Sequence, residues 1–203
     1  MTSSDPHRRS WTARLLSGLA FCAVLCLVSP VHAALSVVAT TPDLAALASE
    51  VGGDAISVKS LSKAAENPHY VDPRPSLVVV VAQADLLILN GMELEIGWLP
   101  PILVNARNAA VQLGGSGYLD ASKHVHRMEV PVSVDRALGD VHPGGNPHFT
   151  FDARAGATLA KVIGERLARL DPERATLFKA NAKRVADELE TIATSESVRF
   201  KAL

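Results

Sequence analysis

Leu35-Ser-Val-Val-Ala39, running through Thr40-Thr41-Pro42-Asp-Leu44-Ala-Ala-Leu47-Ala-Ser-Glu-Val51 to Gly52-Gly53, is the stretch that decides the fold. Its first five residues are a short apolar strand. Thr41 then stands where a helix cap is wanted, and Pro42 suits the first helical position because its fixed φ is already helical. Leu44, Leu47 and Val51 share one helix face, and the two glycines stop the helix. A second strand follows over residues 55–61, with Ile56 and Val58 alternating with polar neighbours. Strand, helix, strand is the opening of an α/β unit.

The same alternation continues. Residues 62–75 are polar and proline-rich and read as a loop. Residues 76–83 read as helix despite their valines, because a better strand, Asp85-Leu-Leu-Ile-Leu89, follows at once and ends at Asn90-Gly91. Residues 94–108 read as a broken helix with Trp98 and Pro100-Pro101 near its middle. Gly114 to Gly117 is a loop, and residues 118–145 are mixed, with one short strand expected over His126–Val130. Asp152 begins a helix carrying Ala155, Leu159, Ile163 and Leu167. Asp171-Pro172 breaks it and starts another, with Ala175, Phe178, Val185 and Leu189 on one face. Beyond Ile192 the pattern fades. The fold class is therefore α/β, one Rossmann-like lobe with a parallel sheet, then a long helix.

Residues 1–33 read differently. Arg8, Arg9 and Arg14 precede an apolar run from Leu15 to Val31, and Val31-His32-Ala33 has the form of a cleavage site. This is a secretory signal peptide, too short before Pro30 to span a bilayer. Its removal takes away three arginines and Asp5, so the net charge of −1 becomes −3. A weakly acidic chain gives no electrostatic reason to bind nucleic acid. Cys22 and Cys26 leave with the signal, and neither follows the small residues of a lipoprotein cleavage site. The expected location is periplasmic or otherwise extracytoplasmic.

Chemistry is carried by histidine. Asn67-Pro-His69-Tyr and Asn146-Pro-His148-Phe repeat one pattern, a histidine after a proline in a loop. Proline lowers the chain's freedom, so less entropy is lost when the imidazole is immobilised on a metal. His124, His126 and His142 complete the mature set. Neutral imidazole suits zinc, and with less preference manganese, iron, nickel and copper; acid should compete with the metal by protonating it. The alternative for His142 is a solvated turn before Pro143, and for His124 and His126 a surface strand. Asp72 is the nearest residue that could orient a ligating ring. Glu93 and Glu95 stand two apart, share no helix face and read as a solvated helix start. The mature chain has no cysteine, no Gly-x-Ser-x-Gly, no His-Glu-x-x-His and no phosphate loop, so it is not read as an enzyme.

Four segments in order, Val38–Leu44, Glu66–Ser76, Ala84–Glu95 and Asp140–Phe149, resemble the N-terminal lobe of zinc/manganese-type substrate-binding proteins of metal ABC importers. The likeness runs from about Leu35 to Asp171. It implies residues 34–171 as a metal-binding lobe and 172–203 as the start of a connecting helix with its tail. It implies His69 and His148 as ligands and the family's remaining ligands on a second lobe; His142, six residues before His148 across the Pro-Gly-Gly turn, is the candidate for a third ligand on this lobe. It implies capture of Zn2+ first, Mn2+ second, for delivery to a membrane ABC transporter permease. The helix near Glu173 is followed by about thirty residues, so the expectation is that the second lobe is absent. The chain would then be a monomer, or would associate through its uncovered cleft face. Two alternatives accompany this reading: a truncated half-domain that binds weakly or has no function, and a surface adhesion protein built on the same lobe.

Overall fold

The computed structural model describes residues 33–131 and 141–201. Residues 1–33, read as a signal peptide, lie outside them apart from Ala33, and everything below concerns the unit that begins at Ala34. In chain order the regular elements are β1 (Leu35–Ala39), α1 (Pro42–Gly52), β2 (Ile56–Ser60), α2 (Pro75–Ala82), β3 (Leu86–Leu89), α3 (Leu99–Ala106), β4 (Tyr118–Asp120), α4 (Ala153–Leu170) and α5 (Ala175–Lys201).

The four strands form one parallel sheet in the order β2-β1-β3-β4. Val37 pairs with Val58 on one side and Leu86 on the other, and Leu87 with Tyr118. Both faces are covered by helices, which explains why every residue of β3 is buried: a strand covered on both sides reads as a continuous apolar run. On one face Val37, Ala39, Leu86, Ile88 and Leu119 pack with Leu44 and Val51 of α1, Ile163 and Leu167 of α4, and Phe178 of α5. On the other, Val38, Leu87 and Leu89 pack with Leu77 and Val81 of α2, Ile102 of α3, and Trp98.

Several elements depart from the sequence reading for clear reasons. The prolines at 100 and 101 open α3 rather than breaking it, since proline is tolerated in the first helical turn; residues 94–98 form turns. Residues 126–130 are not a strand. The sheet's fourth strand is Tyr118–Asp120, directly after the glycine loop, and only three residues long. Thr41 does occupy the cap position of α1, yet its hydroxyl makes no cap bond and is buried without a partner among the described residues. The last helix does not fade at Ile192. It continues to Lys201 along α4, held by buried Ala193, the Lys161–Glu190 ion pair and a bond from Arg154 to the Ser197 hydroxyl. Its apolar stripe is covered by α4 and α1. Gly164 lets α5 pack close against α4: a Cβ there would lie 2.5 Å from that of Ala182.

The topology locates the crevice. The chain leaves β1 for β2 on one side and crosses back to β3 on the other, so connections diverge between β1 and β3. In open α/β sheets, ligands bind beyond the carboxyl ends of strands at such a switch point. The segments that follow β1, β2, β3 and β4 all begin at that edge.

Candidate metal centre

His69, from the loop after β2, lies between two histidines from the long segment after β4. Its ring centroid is 5.0 Å from that of His142 and 5.5 Å from that of His148. Residues 73 or more apart in sequence therefore meet at the carboxyl edge of the sheet. His124 and His126 do not join them: the first ends a short 3-10 turn and both are exposed.

The two Asn-Pro-His repeats fold alike. The Asn67 side-chain oxygen accepts the backbone N–H of His69 at 3.0 Å, and that of Asn146 accepts the N–H of His148 at 2.9 Å. Asparagine is suited to this, because its amide closes a turn two residues on. The proline carbonyl inside each turn is also held. Trp98 Nε1 donates to Pro68 O at 2.9 Å, and Asn90 Nδ2 donates to Pro147 O at 2.8 Å. Both donors come from the one segment linking β3 to α3, and both residues are almost fully buried.

That segment is organised by Glu95. Its Oε1 accepts from the Thr40 hydroxyl at 2.6 Å and the Asn90 N–H at 2.7 Å, and its Oε2 from the Gly91 N–H at 3.1 Å. Glu95 is thus an internal brace joining the ends of β1 and β3, and the reading of a solvated helix start is corrected. Period-based reasoning missed it because residues 90–98 are not helical; a carboxylate four residues after Asn90-Gly91 was the available signal. Burial pushes its carboxyl above the ordinary range, against the hydrogen bonds from Thr40, Asn90 and Gly91, which lower it.

His142 is not a solvated turn either. Its Nδ1 lies 3.0 Å from the carbonyl oxygen of Met92. A carbonyl only accepts, so Nδ1 carries the proton and, in the neutral ring, Nε2 presents a lone pair. That Nε2 is buried and has no hydrogen-bond partner among the described residues. The group that orients His142 is a backbone carbonyl; Asp72 is an exposed residue lining a cavity of about 760 Å³ that also contains His69 and His142. A second cavity of about 340 Å³ is lined by His69, His142 and His148 together. Among the described residues, no three donor side chains are already drawn tight enough to hold an ion.

The segments that build this centre fall within a match to the family described as zinc-uptake complex component A, periplasmic (ZnuA), over residues 37–203. The chain belongs to the ZnuA family. Curated relatives include the manganese ABC transporter substrate-binding lipoprotein PsaA of Streptococcus mitis, 26% identical over 82% of this chain and 52% of the relative. The metal ABC transporter substrate-binding lipoprotein ScbA of Streptococcus cristatus is also 26% identical, over 82% of this chain and 51% of the relative. This ZnuA-family chain spans about half the length of the curated relatives it matches.

Solved structures agree on the fold. A zinc-bound ZnuA deletion mutant superposes with a TM-score of 0.65 at 23% identity, covering 78% of this chain and 55% of that one. A manganese-bound periplasmic metal-binding protein from Candidatus Liberibacter asiaticus gives 0.66 at 18%, covering 82% and 57%. The α/β lobe with its parallel sheet is thus the ZnuA-family architecture, as the resemblance implied.

Proposed function

We propose that this lobe captures a divalent transition metal outside the cytoplasmic membrane, with His69, His142 and His148 as nitrogen donors, for delivery to an ABC transporter permease. The observation that carries the reading is the buried, unpartnered Nε2 of His142, beside two more imidazoles. A buried polar atom without a partner is costly, and a metal ion would remove that cost. Imidazoles sharing a tetrahedral zinc, at bond lengths of about 2.0–2.1 Å, have ring centroids roughly 5 Å apart, close to the spacing here.

The chemistry is coordination alone. Each neutral ring donates a lone pair, and the Met92 carbonyl keeps His142 in the tautomer that can do so. A nitrogen-rich donor set favours zinc over manganese, and the family's zinc-uptake description supports that order. The manganese relatives keep Mn2+ as the second candidate. Exposed Tyr70 and Phe151 offer apolar surface near the histidines, suited to association with another protein surface.

Calorimetric titration of the chain from Ala34 onward with zinc and with manganese tests the reading. Submicromolar zinc binding, lost in both His69→Ala and His148→Ala, is expected. Binding unchanged by either substitution would overturn it.

A further inference from the structure

His69 and His148 are each set by an asparagine turn, whereas the ring of His142 is held by a backbone carbonyl, that of Met92. We infer that Glu95, buried behind the site, is the positioning residue that fixes this carbonyl and thereby the donor nitrogen of His142. The inference rests on the reading of the histidines as a metal site and adds no ligand to them.

The Met92 carbonyl is presented by a rare backbone. Gly91, Met92 and Glu93 have φ of 85°, 52° and 65°, three left-handed residues in succession, of which only the first is glycine. Residues with a side chain adopt this region rarely, and such strain persists only where the surroundings hold it. The holding group is the Glu95 carboxyl, which is 3% exposed. Its Oε1 accepts from Asn90 N at 2.7 Å and from the Thr40 hydroxyl at 2.6 Å, and its Oε2 accepts from Gly91 N at 3.1 Å. The carboxyl therefore grips the chain at the two residues that lead into Met92, and Leu94 N closes the turn on Gly91 O at 3.2 Å. Thr40 is fully buried and directly follows β1, so the turn is tied to the sheet.

The turn is also confined from outside. A Cβ on Gly91 would lie 2.2 Å from Asp120 Oδ1, and one on Gly144 would lie 3.5 Å from Met92 Cα. The loop that carries His142 thus lies directly on Met92. A shift of residues 91–93 moves the carbonyl that accepts from His142 Nδ1. Without that acceptor the neutral ring is free to carry its proton on Nε2, and the lone pair meant for the ion is lost. Glu95 acts through Met92 and not by touching the ion.

The test uses the chain from Ala34 onward. Glu95→Gln keeps an acceptor for Asn90 and Thr40 and turns an amide donor toward the Gly91 N–H. Zinc affinity should fall about tenfold, the lower end of what losing an outer partner of a ligating histidine costs. In the metal-free protein, 15N NMR of the imidazoles should show His142 passing from the Nδ1–H tautomer to a mixture of both. Phe178→Ala lowers stability by another route and should leave affinity and tautomer unchanged; an equal fall there would count against the role. Wild-type affinity in Glu95→Gln, or lowered affinity with the His142 tautomer unchanged, would overturn it, and binding still lost in His69→Ala would leave the histidine site standing. Binding indifferent to the histidines would overturn both. Should Glu95→Gln fail to fold, Thr40→Val removes one donor to the same carboxyl and keeps the side chain's shape. It is expected to shift the tautomer and lower affinity by a smaller factor, and no change in either would overturn the role.

Discussion

The indole N–H of Trp98 donates to the carbonyl of Pro68 across 30 residues of sequence, at 2.9 Å, immediately before His69. Asn90 makes the matching bond to Pro147, immediately before His148. A single buried segment therefore sets the spacing of two loops that contribute nothing to the sheet. Trp98→Phe keeps the apolar ring and removes the donor. It should cost about 1 kcal/mol of stability, the worth of one intramolecular hydrogen bond, and weaken zinc binding. Urea unfolding and zinc titration of the same preparation check both parts; lost stability with unchanged affinity would mean that the bond does not position His69.

Replacing Asn90 by leucine tests the other arm. It leaves the Pro147 carbonyl without its donor inside the protein, so a cost of about 1–3 kcal/mol is expected, with zinc affinity lowered through His148. The double variant with Trp98→Phe should show coupling, because both donors sit on one braced segment. A double-mutant cycle on zinc affinity reads that coupling directly, and strict additivity would argue that the two turns are held independently.

The brace itself predicts a pH dependence. Burial raises the Glu95 carboxyl above its value in the unfolded chain, so the folded state holds that proton more tightly. Its contribution is therefore full below the ordinary carboxylate range and is lost as pH rises through the raised value. Measured in urea without metal, the stability of the wild type minus that of Glu95→Gln should decrease from acid to neutral pH. A difference that grows over that window would contradict the assignment.

Helix α5 should matter for stability and not for the ion. Phe178 is fully buried between α4, α1 and the sheet, so Phe178→Ala should cost about 3–5 kcal/mol. Lys183→Ala removes only an exposed pair with Asp187 and should change stability immeasurably. Thermal unfolding compares the two, and zinc affinity of the folded protein should be the same in both.

The strand–helix alternation was readable because its local signals agree with the tertiary fold: a Thr-Pro helix start, a double-glycine stop, and an apolar run too short for anything but a buried strand. The failures have one physical origin. Tyr118–Asp120 is a strand only because β3 offers it a partner, and the final helical turns persist only because α4 lies alongside. Neither fact is local. The histidines divide in the same way. The repeated Asn-Pro-His tripeptide drew attention to His69 and His148, the family resemblance implied them as ligands, and their rings do approach. The orientation of His142 depends on a carbonyl 50 residues away, and the burial of Glu95 on donors from Thr40 and Asn90, so no periodicity could have revealed them.

The most direct measurement is X-ray absorption at the zinc edge of the chain loaded with one equivalent of zinc. The expected first shell lies at about 2.0–2.1 Å with the outer-shell scattering of three imidazoles, reduced by one ring in His142→Ala. A shell with the signature of one imidazole or none, or a spectrum unaltered by His142→Ala, would contradict it.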